Sequence, residues 1–373
     1  MVLFQDFRKK LEKSNLLKQI LHKVFYGIIT LFGVVTVLFF ILNKIPGDAA
    51  QMMQDQREDS EQLKTIKAKY GFDKPKTVQY LLYLNDLSPI SFHSTNQADF
   101  TYLQKGKYNA TPIFRIKNII TVIKMPYLRE SYQKNGKKVI DIIKETLPNT
   151  AVLAITSIFI AIVIGIFFGI LSAIYKDTIF DRVVAVVSTF GMSVPSFFSA
   201  ILFAWFFGFI LHKYTNLNMT GSWYEVDDFG EGKYLQLKNL ILPAIVLGIR
   251  PLAVVVQLMR NSLLEVLNQD YIRTAKAKGL STFKIIYKHA LKNALNPVVT
   301  AISGWFASLL AGAVFVEYIF GWNGLGKEII KALNEKDYPI IIGSSIIIAT
   351  MFIIINIFVD VIYRWLDPRI RTN

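Results

Sequence analysis

Gly321 to Lys327, GWNGLGK, has the glycine and lysine spacing of a loop that cradles phosphate. Its eighth position is Glu328, where Ser or Thr must hold magnesium, and no strand-like run precedes it. Nucleotide chemistry is therefore not expected there. His22, His93, His212 and His289 are scattered without metal-ligand spacing. No Ser-His-Asp set and no pair of carboxylates falls on one face, and the chain has 0 cysteines. These patterns predict no catalytic residue, no metal site and no enzyme.

What remains is ionic and polar recognition inside apolar runs. Arg250 sits beside Pro251 in the run from Leu240 to Met259. A charge in hydrocarbon costs at least about 2.5 kcal/mol on insertion scales, so such a residue faces a cavity or a partner. A helix broken at Pro251 would aim Arg250 at a substrate carboxylate; snorkelling, or pairing with Glu317 or a partner subunit, are the alternatives. Ser193, Pro195, Ser196 and Ser199, with Gly191, make a kinked, small, polar patch that fits either pathway lining or helix packing. Asn356, Asp360 and Arg364 recur at i, i+4 and i+8 and read as an anchoring stripe.

These residues must be positioned by membrane spans. Hydrophobic residues make up 53% of 373 and charged residues only 18%, beyond what a soluble core needs. Uncharged runs at 24–42, 151–175 and 183–211 hold 19, 25 and 29 residues, against the roughly 20 that cross a bilayer. Runs at 240–259, 297–316 and 340–362 complete an expected six. The expected fold is all-α and polytopic, with a core over 149–371 and a large extracytoplasmic segment at 43–148.

Charge orients the spans. Lys and Arg number six in residues 1–23, two in 176–182, seven in 260–296 and three from 363 onward. Residues 212–239 and 317–339 carry three each, beside four acids. The positive-inside rule then places both termini in the cytoplasm. Residues 43–148 carry 17 basic side chains, but long loops translocate as domains and escape the rule. The net charge of +15 is thus divided across a membrane, which argues against nucleic acid as a partner. No small-residue cleavage site follows Leu42, so the first span reads as an uncleaved anchor. Within the outer segment, residues 55–70 read as a charged helix and Val78 to Leu87 as an apolar one lying along the surface. Residues 88–126 show no clear period.

Between Asp270 and Pro297 lies the most structured polar segment, DYIRTAKAKGLSTFKIIYKHALKNALNP. Asp270 as N-cap, Gly279 as C-cap and Ser281 or Thr282 as a second N-cap predict helix, turn and helix. Ala275 and Gly279 would leave a face nearly free of side chains, a socket for a partner. Phe283, Ile286, Tyr287, Ala290, Leu291 and Ala294 form one apolar stripe expected to dock, with Lys284, Lys288 and Lys292 on another face.

RTAKAKGLS followed by KHALKNALNP resembles the coupling loop of ATP-binding-cassette importer permeases, closest to the dipeptide and oligopeptide branch. The same branch is resembled by IPGDAA at 45–50, YGFDKPKTVQY at 70–80, ETLPNTAVL at 145–153, QDYIRTAKAKG at 269–279, and a closing block. That block comprises VEYIFGWNGLGKEIIKAL, KDYPIIIG and NIFVDVIYRWLDPRIR, ending at Arg371. Residues 88–126 stand apart as an insertion, a small external subdomain that either helps dock an external binding protein or serves only stability. The resemblance implies one of two permease subunits in a bacterial inner membrane, with separate ATPase subunits holding ATP and magnesium and no cofactor on this chain. It implies short peptides as cargo, although similar permeases carry nickel chelates or other small solutes. It also explains GWNGLGK as an extracytoplasmic turn. It places ATPase coupling on Arg273, Thr274, Ala275, Lys276, Ala277, Lys278, Gly279, Leu280, Lys284, Lys288 and His289. Where family members often show a further Arg, this chain has Gln257. A secondary transporter would need inverted repeats or ionisable relays, and a channel would need charged or carbonyl rings.

Overall fold

The computed structural model describes residues 2–45, 60–97, 99–103, 107–134, 136–226 and 232–366. Residues 46–50 of IPGDAA, 55–59 of the charged helical stretch and 367–371 of the closing block lie outside them. The chain is mostly helical, as expected, and the described residues add five short strands that the sequence did not announce. Among the described residues, four helices are long and apolar enough to cross a membrane, and two bent helix pairs would raise the number to six. The chain divides into two compact units: one of residues 25–145 with 328–349, the other containing 146–327.

In the first unit, α1 (Val2–Lys44) contributes its second half, and α2 (Ser60–Tyr70) and α3 (Lys76–Leu87) follow. Aromatic rings join α3 to α1: Tyr80 lies 5.3 Å from Phe39 and 5.2 Å from Phe40, between centroids. The insertion is an ordered antiparallel sheet of β1 (Ile90–Ser94), β2 (Ala110–Ile116) and β3 (Ile119–Lys124), with β3 central. Its alternation escaped notice because the buried face carries Ser91, His93 and Lys124 around Val122, while isoleucines point outward. Asp86, at the end of α3, anchors the sheet, accepting Arg129 Nε at 2.8 Å while its carbonyl accepts Lys124 Nζ.

In the second unit, α4 (Val139–Ile174) reaches α5 (Ile179–Ser193), whose N-cap Thr178 accepts the N–H of Asp181. The expected single span over 183–211 is broken. Val194 is held extended by the following proline, Pro195 brings no N–H, and α6 (Ser196–Phe203) resumes at 109° to α5. A π-helical stretch, Ala204–Ile210, continues it through α7 (His212–Thr215) to a hairpin of β4 (Tyr224–Val226) and β5 (Lys233–Leu235).

The next helix, α8 (Lys238–Leu267), runs unbroken through Pro243 and Pro251, so the expected break beside Arg250 is absent. It packs against α5 and the last long span of this unit. A Cβ on Gly165 would lie 2.7 Å from Val255 Cγ1, and one on Gly169 would lie 2.9 Å from the Val256 carbonyl. This small-residue seam lets α4 and α8 approach backbone to backbone. Beyond α8 come α9 (Asp270–Ala277), α10 (Thr282–Ile285), a π-helical turn (Ile286–Ala290) and α11 (Leu291–Phe320). The chain closes with α12 (Leu325–Asn334) and α13 (Tyr338–Leu366).

Candidate functional site

The helix, turn and helix expected around Gly279 are present, with shifted caps. Gln269 is the N-cap of α9 and Lys278 its C-cap, while Gly279 follows at φ +72°, the left-handed conformation that closes a helix. Ser281 is the N-cap of α10.

The expected socket is not built as the sequence suggested. Ala275 is buried, while Gly279 lies past the helix end with nothing within 4 Å of a Cβ placed on it. Ala275 and Ile272 belong to an apolar cluster with Ala173 of α4, Met259 and Leu263 of α8, and Ile285, Ile286, Ala290 and Ala294 of the following segment. Asn293 Nδ2 donates to the Tyr271 hydroxyl at 2.8 Å, a second fastening between α9 and α11. The loop is thus clamped to three long helices.

The apolar stripe also divides. Ile286, Ala290 and Ala294 are buried, but Phe283 and Tyr287 are 79% and 72% exposed. Their rings lie 6.2 Å apart at an interplanar angle of 2°. The π-helical turn holds one more residue per turn than an α-helix, so the following residues rotate out of the simple 3.6 register. Arg273, Thr274, Lys276, Ala277, Lys278, Lys284 and Lys288 are exposed, and Leu280 and His289 half-buried. The result is a cationic surface with an aromatic stack at its centre.

Below it lies an ion pair the sequence reading missed. Arg260 Nε and Nη2 donate to the two carboxylate oxygens of Asp181 at 2.6 Å each. Ser172 Oγ donates to the same carboxylate, and the Asp177 N–H does so at 3.0 Å. Asp181 is 3% exposed, so α4, α5 and α8 meet at one charged knot. A lone acid three residues after a helix cap, leading an otherwise apolar run, was the available signal.

Above the knot, an open groove of 260 Å³ between α4, α5 and α8 is lined by Thr189, Gln257, Arg260 and Asn261 among others. The small-residue patch lies at the α5–α6 bend: Ser193 and Pro195 are exposed, Ser196 half-buried and Ser199 buried. A Cβ on Gly191 would contact Ile249 and Ala253, so the bend adjoins the turn of α8 that carries Arg250. Arg250 is exposed, with no ion pair among the described residues. Glu317, its suggested partner, is engaged elsewhere. Asn356 Nδ2 returns to the Phe352 carbonyl at 2.8 Å, and the side chains of Asp360 and Arg364 lie outside the described residues.

The phosphate-loop likeness has a structural explanation. Glu317 Oε2 accepts the N–H groups of Gly326 at 2.7 Å and Lys327 at 3.3 Å, so an internal carboxylate occupies the start of α12. Cβ atoms on Gly324 and Gly326 would collide with that carboxylate. The glycines serve Glu317.

Over nearly its whole length the chain is similar to curated permeases. It is 32% identical over 354 residues to the dipeptide transport system permease protein DppB of Alkalihalophilus pseudofirmus, covering 91% of this chain and 95% of that protein. The DppB proteins of Bacillus subtilis and Escherichia coli K12 are 33% and 32% identical, covering 94% and 95% of this chain and 97% and 99% of their own lengths. A chain of the inward-facing MetNI methionine ABC transporter is similar over 61% of this chain and 97% of its own, at a TM-score of 0.49 and 18% identity. The binding-protein-dependent transport system membrane component N-terminal family matches residues 16–99. Residues 165–372 match the binding-protein-dependent transport system inner membrane component, and the chain belongs to that family.

Proposed function

We propose that this chain is one of two membrane subunits of an ATP-driven importer of di- or oligopeptides. The observation that carries the reading is the exposed cationic and aromatic surface of α9 and α10, seated on a buried cluster that continues into α4, α8 and α11. Relatives named as dipeptide permeases, matching nearly end to end, support the peptide cargo. With each bent pair counted as one span, the Lys and Arg count of the short loops supports six spans with both termini and the 270–296 loop in the cytoplasm of a bacterial inner membrane.

Two separate ATPase subunits would hold ATP and magnesium, a second similar permease would complete the pathway, and an external binding protein would deliver the cargo. Closure of the ATPases displaces α9 and α10, and the clamped cluster transmits that displacement. Coupling of this kind requires ATP and peptide each to bind differently to inward- and outward-open states. Ser193, Pro195, Ser196 and Ser199 at the bend, and Arg250 beside it, are the residues we assign to the pathway, with Arg250 meeting the peptide carboxylate.

The test is purification of the tagged chain from its native membrane in mild detergent, with companions identified by mass spectrometry. A phosphate-loop ATPase and a second permease in stoichiometric amounts are expected. Recovery of the chain alone or as a homo-oligomer in repeated gentle preparations overturns the reading.

A further inference from the structure

The three-stranded sheet is inside out for a sheet bathed in water. Successive residues of a strand point to opposite faces, and a half-solvated antiparallel sheet keeps its apolar face inward. Here the outward residues are Ile90, Phe92, Phe114, Ile116, Ile119 and Ile123, each 53–59% exposed. Register places Ile90 opposite Ile123 and Ile116 opposite Ile119, so the residues form one continuous surface. The inward face takes Ser91, His93 and Lys124.

Helix α3 extends this surface. Val78 and Leu81 are 39% and 63% exposed, and with Leu82, Phe92 and Ile119 they form the apolar wall of one open groove of 440 Å³ whose remaining lining is polar, with Asp99 and Asn118 among it. The position of α3 along α1 is fixed by Lys76 Nζ donating to Asn43 Oδ1 at 2.9 Å and by a 2.6 Å hydrogen bond between Tyr80 OH and Thr36 Oγ1. Thr36 lies eight residues inside the end of the span at Lys44, a depth of about 12 Å at the helical rise. Amphipathic elements seated in a bilayer surface bury their apolar side by about 5–10 Å. Exposed Arg115 and Lys117 stand at the end of the β2–β3 hairpin, cations able to hydrogen-bond lipid phosphate.

We propose that the apolar face of this sheet, with Val78 and Leu81, is seated in the headgroup and upper acyl region of the leaflet around Lys44. The occupant is phospholipid because the face is continuous with a helix already committed to the bilayer at that depth. A polar inward face with an apolar outward one is also the arrangement of lipid-facing sheets. The insertion is then a membrane-resting flange, and its apolar face is not where a binding protein docks.

The chain has no cysteine, so single cysteines at Leu81, Phe92 and Ile119 can carry nitroxide labels. The labelled chain is studied within its assembled complex, in nanodiscs containing phosphatidylglycerol, with the unsubstituted complex as background. Collision with oxygen, relative to a water-soluble nickel chelate, is compared with a label at exposed Lys64 of α2. A ratio at least about threefold higher at all three sites is expected for side chains at interfacial depth. A ratio equal to that at Lys64 overturns the proposal in favour of open water. Low collision with both reagents overturns it in favour of a covering protein. Neither result bears on which subunits co-purify, so this test and that of the importer reading fail separately.

Discussion

Gly326 donates its backbone N–H to Glu317 Oε2 at 2.7 Å, and a Cβ on Gly326 would stand 2.5 Å from Val314 Cα. Both sides of this contact are buried backbone or carboxylate, so neither can yield. Overpacking of this kind costs about 1–3 kcal/mol. Gly326→Ala is expected to lower thermal stability in detergent by an amount in that range. Glu317→Gln, which keeps one acceptor oxygen, should fall short of that loss in the same melting measurement.

Arg260 and Asp181 form a two-point ion pair, and removing one partner of a buried pair leaves the other uncompensated. Fully buried pairs lose about 3 kcal/mol or more, and with the Arg260 side chain 25% exposed at the groove the expected order is about 1–3 kcal/mol. Arg260→Ala and Asp181→Ala are each expected to destabilise by that order, and the double variant by much less than their sum. A thermal-unfolding double-mutant cycle checks this. Additive losses would mean the two side chains are independent.

Phe283 and Tyr287 are exposed and stacked, so truncating them should leave the fold intact. Phe283→Ala with Tyr287→Ala is expected to reduce ATPase subunit retention and ATP-driven uptake at least tenfold, about 1.4 kcal/mol of contact energy. Quantitative mass spectrometry of the purified complex measures the first, and vesicle uptake the second. A change in melting temperature comparable to that of the Arg260 variant would assign the pair to packing instead.

Burial holds the His93 imidazole below its ordinary 6.5, with the Thr101 carbonyl opposing that shift. The proton sits on Nδ1, which donates to that carbonyl at 3.1 Å, while Nε2 accepts from Ser91 Oγ at 2.9 Å. The unfolded chain therefore binds the proton more readily than the folded one. His93 stabilises fully above about pH 6.5, and that stability drains away as pH falls toward the lower folded value. Hydrogen exchange of β1 and β3, corrected for intrinsic rate, should accelerate between pH 7.5 and 5.0. His93→Gln should flatten the trend.

Much of this was legible in the sequence where one physical signal dominated. Apolar runs marked the first, second, fourth and sixth expected spans, each of which falls on a helix long and apolar enough to cross a membrane, because length and hydropathy alone decide that. Gly279 announced the turn, because only a left-handed residue closes α9 there. The failures share a cause: tertiary packing chose a register or direction that local pattern leaves open. Pro195 carried the signal for a break, but a proline permits a kink or a right angle, and Pro251 did neither to α8. The Phe283 to Ala294 stripe is regular in sequence, and the π-helical turn divided it. The 88–126 sheet was hidden because its polarity is reversed.

The glycines at 165 and 169 leave no thickness between α4 and α8, and surfaces meshed backbone to backbone cannot glide past one another. The pair therefore turns as one piece, like the fixed leaf of a hinge. The bend at Val194 and Pro195, where α6 leaves α5 at 109°, is set against that stiff pair.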